Sequence, residues 1–160
     1  MYVYSEKAAG GLFSTVGDIA AFVTAGMTRF SHERHDVLSA RSIAALYAPR
    51  VEIPGLYGLA FDAYGFGHFI ERFSDGTFAV SHGGQGTGWM THFHSVPGTG
   101  DGIVILTNSQ RSWPFFAEIL GDWAAWCGLP GVGMGLIVKG QKILWALIAL
   151  AALAAFAQGV

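Results

Sequence analysis

The stretch Ser81-His82-Gly83-Gly84-Gln85-Gly86-Thr87-Gly88-Trp89 concentrates more chemistry than any other part of this chain of 160 residues. Four glycines within six residues, directly after an apolar run that reads as a strand, let backbone approach another group closely. A His at the head of that run can donate or accept a hydrogen bond near neutral pH. A phosphate-binding loop does not fit, because no Lys-Ser/Thr pair follows the glycines and no G-x-G-x-x-G register is present. On residue type alone, a glycine-rich turn beside a structural His stays open as the alternative.

Other residues carry weaker signals. His92 and His94 lie two apart on a predicted strand and therefore face the same way. That spacing suits a metal, with His68 as a third ligand, but no acidic residue stands near them, and surface or half-buried histidines are the simpler reading. Asp18 follows Ser14 and Thr15 at the spacing of a helix-terminus carboxylate rather than an acid catalyst. Cys127 is the one cysteine, so no internal disulfide or thiolate metal cluster is available, and it reads as a small hydrophobe near a helix end. Trp113, Trp123 and Trp126 are expected to pack the last helix of the polar part, Trp126 having a membrane-interface role as its alternative. Trp89 either lines a cleft or simply packs.

These residues need a scaffold, and the sequence supplies its punctuation. Residues 15–28 read as an amphipathic helix with Ile19, Phe22, Val23 and Met27 on one side, and 28–37 as a polar loop. A short helix follows over 39–47, closed by Pro49 and Pro54. Aromatic-rich runs at 57–60, 64–73 and 77–82 read as strands, the last two joined through Asp75-Gly76, a hairpin signal. Runs at 89–96 and 103–107 make a second hairpin around the loop Pro97–Gly102, and Pro114 opens a helix to Cys127. The order of elements predicts an α+β fold, an antiparallel sheet with helices packed on it. Residues 1–127 read as one folded unit, 128–142 as a glycine-rich linker, and 143–160 as a membrane segment.

Composition bounds the function. Apolar residues make up 52% and charged residues 12%, which excludes intrinsic disorder. A net charge of −2 without any basic run argues against nucleic-acid binding. From Ile143 to Ala157 fifteen apolar residues run without interruption. The segment counted to Val160 gives about 27 Å of helix, close to a hydrocarbon core of about 30 Å. A helix without a polar face belongs in a membrane or a large interior, and the membrane is the better fit. The amino-terminal residues do not read as a signal peptide.

Several motifs in order carry a resemblance. Residues 8–20 (AAGGLFSTVGDIA) resemble the AGGL-x-ST-x-x-D-x-A segment of the serine β-lactamase and penicillin-binding-protein-like hydrolases, a superfamily that includes class C β-lactamases, esterases and D-aminopeptidases. Residues 38–43 (LSARSI) are similar to the helix that follows it. His82-Gly83-Gly84 resembles the third motif of these enzymes, Lys-Thr-Gly or His-x-Gly, and residues 102–108 (GIVILTN) their last strand. The resemblance implies a partial β-lactamase/transpeptidase-like fold and acyl-enzyme hydrolysis of ester, amide or β-lactam bonds. It implies that His82 orients substrate and polarises the catalytic hydroxyls, that Gly83 and Gly84 leave room for the acyl group, and that the N–H of Gln85 is one of two oxyanion donors. It implies no metal or nucleotide cofactor.

The same comparison exposes what is missing. No Ser in the sequence is followed three residues later by Lys, so the Ser-x-x-Lys nucleophile motif is absent, and Tyr2-Val3-Tyr4 does not satisfy the second motif. The chain therefore reads as the C-terminal half of such a hydrolase, nearly inert without a partner segment that carries Ser-x-x-Lys. Small esters, D-amino-acid peptides or β-lactams are the expected substrates of the complete protein, and membrane lipid its expected surroundings. A non-catalytic membrane-tethered binding module and a truncated reading frame are the alternatives. The resemblance places the hydrolase-like part outside the cytoplasm. Lys139 and Lys142, on the N-terminal flank of the apolar run, favour a cytoplasmic flank instead, and the resemblance is given the greater weight.

Overall fold

The computed structural model describes residues 5–28 and 38–158. The greater part of the polar loop expected at 28–37, and Tyr2-Val3-Tyr4, lie outside the described residues. Short helix α1 (Lys7–Gly10) leads to α2 (Val16–Ala25), and α3 is Ala40–Leu46. The strands are β1 (Val51–Glu52), β2 (Ala63–Tyr64), β3 (Phe69–Arg72), β4 (Phe78–Gly86), β5 (Trp89–Val96) and β6 (Asp101–Thr107). Helices α4 (Trp113–Trp126) and α5 (Met134–Gln158) complete the chain. Among the described residues the strands form one antiparallel sheet in sequence order, β1 to β6. The architecture is α+β, as expected.

Local chemistry explains the boundaries. Thr15 caps α2 in a capping box: its Oγ1 accepts from the Asp18 N–H at 3.2 Å, and Asp18 Oδ2 accepts from the Thr15 N–H at 3.4 Å. The Ser39 hydroxyl accepts from the Ser42 N–H and starts α3. Asp75 Oδ1 accepts from the Thr77 N–H at 2.9 Å, and Gly76 takes a positive φ of 86°, which fixes the β3–β4 turn. At the tip of the next hairpin Gly88 has φ 93°.

Strand alternation sends side chains to two cores. Glu71, Phe73, Ala79, Met90, His92, His94 and Val96 share one face, covered by Phe116, Leu120 and Trp123 of α4 and by Met134 of α5. Ala63, Ile70 and Val80 on the other face meet Ile43 of α3 and the α3-capping Tyr47. On that face too, α2 lies against β6, with Phe22 edge-to-face on Phe93 at 6.4 Å.

Three expectations are corrected. The run at 57–60 is no strand: Gly55–Leu59 is a 3₁₀ turn. The run at 64–73 is two strands, broken where the Gly65 N–H bonds to the His68 C=O and Gly67 takes φ 75°. Helix α5 begins at Met134, inside the stretch read as linker, because its first turn is packed on the domain. Leu120 is fully buried against that layer, so Leu120→Ala is expected to cost about 2–5 kcal/mol, read as a lowered urea midpoint at unchanged m-value.

Candidate active site

The glycine run is not a loop after a strand; it is the second half of β4. β3 pairs with β4 from Phe78 to Ser81 and no further, whereas β5 accompanies β4 through Gly86. Residues 82–86 thus form an edge, open on the β3 side among the described residues. The Phe73 N–H bonds to the Thr77 C=O at 2.9 Å, which sets the phase of that ladder. Ala79 and Ser81 turn their backbone groups to β3, and by the same alternation Gly83 and Gln85 aim theirs out of the open edge.

His82 stands where the pairing stops. Its ring stacks on Phe69 at 5.9 Å and lies 6.2 Å from Tyr64. Burial holds its pKa below the ordinary value, and His68 adds to the effect, so the imidazole is neutral near pH 7. Gly83 is forced by close packing: a Cβ there would lie 2.7 Å from the Thr91 carbonyl oxygen and 3.3 Å from His92 Nδ1. At Gly84 the constraint is softer, the nearest atom being Thr91 Oγ1 at 3.0 Å, which also accepts the Gly84 N–H.

A cleft of about 470 Å³ opens over this edge. His82, Gly83, Gly84, Gln85, Thr91 and His92 form one wall, and Ile53, Pro54, Tyr57, Phe61, Phe69, Met90, Trp113 and Met134 make the rest largely apolar. All four sequence-derived site residues therefore border one cavity. Trp89 is not among its walls and packs instead edge-to-face on Phe13 at 5.8 Å.

His92 and His94 do face the same way, but they are buried, not at the surface, with ring centroids 5.9 Å apart. His68 is on the opposite face, against Tyr47 and Phe93, and cannot join them. Among the described residues no three metal-ligating side chains come together. Behind the pair lies a residue the sequence reading passed over, Glu71. Its Oε1 accepts the Gly133 N–H at 2.6 Å, and its Oε2 is 3.7 Å from His94 Nε2, too far for a hydrogen bond. A Glu flanked by Phe69 and Phe73, two residues to either side, is the signal that marked an inward carboxylate. Gly133 is held so close that a Cβ would lie 2.5 Å from Ala60 Cα. Of the last helix's tryptophans, Trp123 is buried, Trp113 lines the cleft, and Trp126 is 85% exposed; Cys127 closes α4 half-buried.

The Beta-lactamase family profile matches residues 1–124. The "octameric penicillin-binding protein homologue from Pyrococcus abyssi" has a similar fold, with a TM-score of 0.54 and 21% identity over 72% of this chain. The chain spans 25% of that protein's length. No curated protein sequence matches closely enough to count as a relative. The fold is that of a penicillin-binding-protein-like α+β domain. The chain belongs to the β-lactamase family.

Two outcomes are expected. Burial raises the Glu71 carboxyl from 4.5 to about 7, with Asp62 adding to it and the Gly133 N–H opposing. Folding thus favours its protonated form: that stabilisation is complete below 4.5 and is lost as pH rises through about 7. Burial lowers His92 to about 4 and His94 to about 3, and their contribution runs oppositely, lost as pH falls from 6.5 through those values. Glu71→Gln keeps an acceptor for Gly133 and removes the carboxyl titration. Relative to wild type it should gain on the order of 2–3 kcal/mol between about pH 4.5 and about pH 8, measured by thermal unfolding across that range. Gly83→Ala should cost about 1–3 kcal/mol and more than Gly84→Ala, since backbone rather than a hydroxyl stands in its way; parallel denaturant titrations decide it.

Proposed function

We propose that this chain is the part of a membrane-anchored β-lactamase-like serine hydrolase that supplies its third motif, His82-Gly83-Gly84. The observation that carries the reading is the free half of β4, with His82 at its start and the Gln85 N–H aimed outward over the cleft. A neutral His82 can hold and polarise the hydroxyls of an acyl-transfer centre. The Gln85 N–H would receive the developing oxyanion, a donor typically worth about 3–4 kcal/mol. Gly83 and Gly84 keep that edge free of side chains in front of the acyl group.

The nucleophile would come from a Ser-x-x-Lys segment outside these residues. Apolar residues left exposed near α2 support a further layer there: Leu12, Phe13, Val16 and Phe22. α5 is long and apolar enough to cross a membrane, with mean hydropathy 1.7 and its apolar window wholly exposed, and this supports the anchor. The hydrolase-like part is assigned to the extracytoplasmic side, with esters, D-amino-acid peptides or β-lactams as substrates.

The missing Ser-x-x-Lys favours one second reading, a non-catalytic membrane-tethered binding module. Labelling with a fluorophosphonate or penicillin probe separates the two. The hydrolase reading expects labelling of a protein that includes the upstream Ser-x-x-Lys segment and none of this chain alone. If neither labels while both are folded, the binding module is correct. In the labelled form, His82→Ala is expected to slow acylation by about 10²-fold or more; an unchanged rate removes His82 from the mechanism.

A further inference from the structure

The apolar wall of the cleft and the start of α5 are built from the same residues. Met134 lines the cleft and is also the first residue of α5, tied to the sheet through the neighbouring Gly133 N–H on Glu71. Tyr57 lines the cleft from the 3₁₀ turn Gly55–Leu59. That turn lies against α5: a Cβ at Gly140 would sit 3.6 Å from Leu56 Cδ1 and 3.9 Å from Leu59 Cδ1. Leu56, Tyr57 and Leu59 are nonetheless about half exposed. Beside them on α5 stand two exposed lysines, Lys139 and Lys142, and beyond those the helix is exposed and apolar.

This is the profile of a helix leaving a protein surface and entering a bilayer. Lysine heads meet anionic headgroups while their stems lie on apolar surface, and the leucines of the turn stand at the same level. From Met134 to Lys142 the helix rises only about 12 Å, so the cleft wall lies within about 12 Å, along the helix, of the level of the second lysine.

We propose that the cleft takes its substrate from the membrane: an amphiphile with a long acyl chain whose ester or amide bond is cleaved at the headgroup level. The chain would lie along Ile53, Pro54, Tyr57 and Phe69, above the buried Met90 and Met134, with the carbonyl at the edge by Gln85. The proposal rests on the hydrolase reading above for its chemistry. For an ester, the serine oxygen bonds to the carbonyl carbon and the alcohol departs with the serine proton. Water then cleaves the acyl-serine, releasing the carboxylic acid and returning a proton to the serine, so the net reaction is ester plus water to acid plus alcohol.

Two measurements test it. This chain, with Cys127→Ser and a single bimane-labelled cysteine, is placed in phosphatidylcholine–phosphatidylglycerol vesicles that contain a doxyl lipid. Label at Leu56→Cys or Leu59→Cys should be quenched and blue-shifted, while label at Ser74→Cys, in the turn at the other end of β4, should stay aqueous. In the protein that includes Ser-x-x-Lys, Leu56→Gln with Leu59→Gln should lower kcat/KM at least about tenfold for a vesicle-borne palmitoyl ester. Hydrolysis of a soluble acetyl ester should stay within about twofold. Aqueous emission at Leu56, or an equal effect on both esters, overturns the membrane-fed cleft and leaves the hydrolase reading in place. Absent fluorophosphonate labelling overturns the hydrolase reading, and the proposed cleavage with it, whatever the probes at Leu56 and Leu59 report.

Discussion

β3 cannot accompany β4 beyond Ser81, because the chain reaches Phe69 out of the tight turn at Gly65–His68 and has no residues left to pair. An open sheet edge is usually a liability, since its unpaired N–H and C=O groups invite another chain. Here the exposed half is short, ends in a hairpin, and is walled by Phe69 and by the 3₁₀ turn. The same truncation leaves room for the cleft and turns the N–H groups of Gly83 and Gln85 towards it. Lengthening β3 by two residues would fill the edge and close the site.

The wall behind that edge is unusual in another respect. Glu71 Oε2, His92 Nε2 and both ring nitrogens of His94 are buried without a hydrogen-bond partner among the described residues. A group left in that state costs about 1–3 kcal/mol, which apolar residues of similar shape would avoid. Neutral imidazoles and a carboxyl that titrates near neutrality limit the cost, because none of them need carry full charge in the interior. Stability therefore depends on pH from both directions at the sheet face under α4.

Much of this was legible in the sequence. The caps at Thr15 and Ser39, the Asp75-Gly76 turn and Pro114 near the start of α4 act locally, within a few residues, and local signals survive folding. The motif residues His82 to Gln85 were found as one group and border one cavity. The aromatic run at 57–60 has the composition of a strand, yet Gly55 at φ 71° and the packing against α5 turn it into a 3₁₀ segment. The break at Gly65 and Gly67 was announced by two glycines within an aromatic run. Gly135 and Gly140 suggested a linker, but propensity yields to packing where a helix is anchored through Met134 and Gly133. Trp113, Met134 and Tyr57 reach the cleft only through tertiary folding, and no spacing in the sequence links them to His82.

Helix α5 is continuous from Met134 to Gln158, with no proline and no break after the point where it leaves the domain. A continuous helix of that length, about 37 Å, has a cleft wall at one end and an exposed apolar run at the other. Its first residue, Met134, follows Gly133, whose N–H is held by Glu71 and which has no room for a side chain beside Ala60. The start of α5 and one wall of the cleft are thus the same residue. Were α5 to cross a bilayer as proposed, any mismatch between its apolar length and that bilayer would be felt at one end by a residue that also borders the cleft.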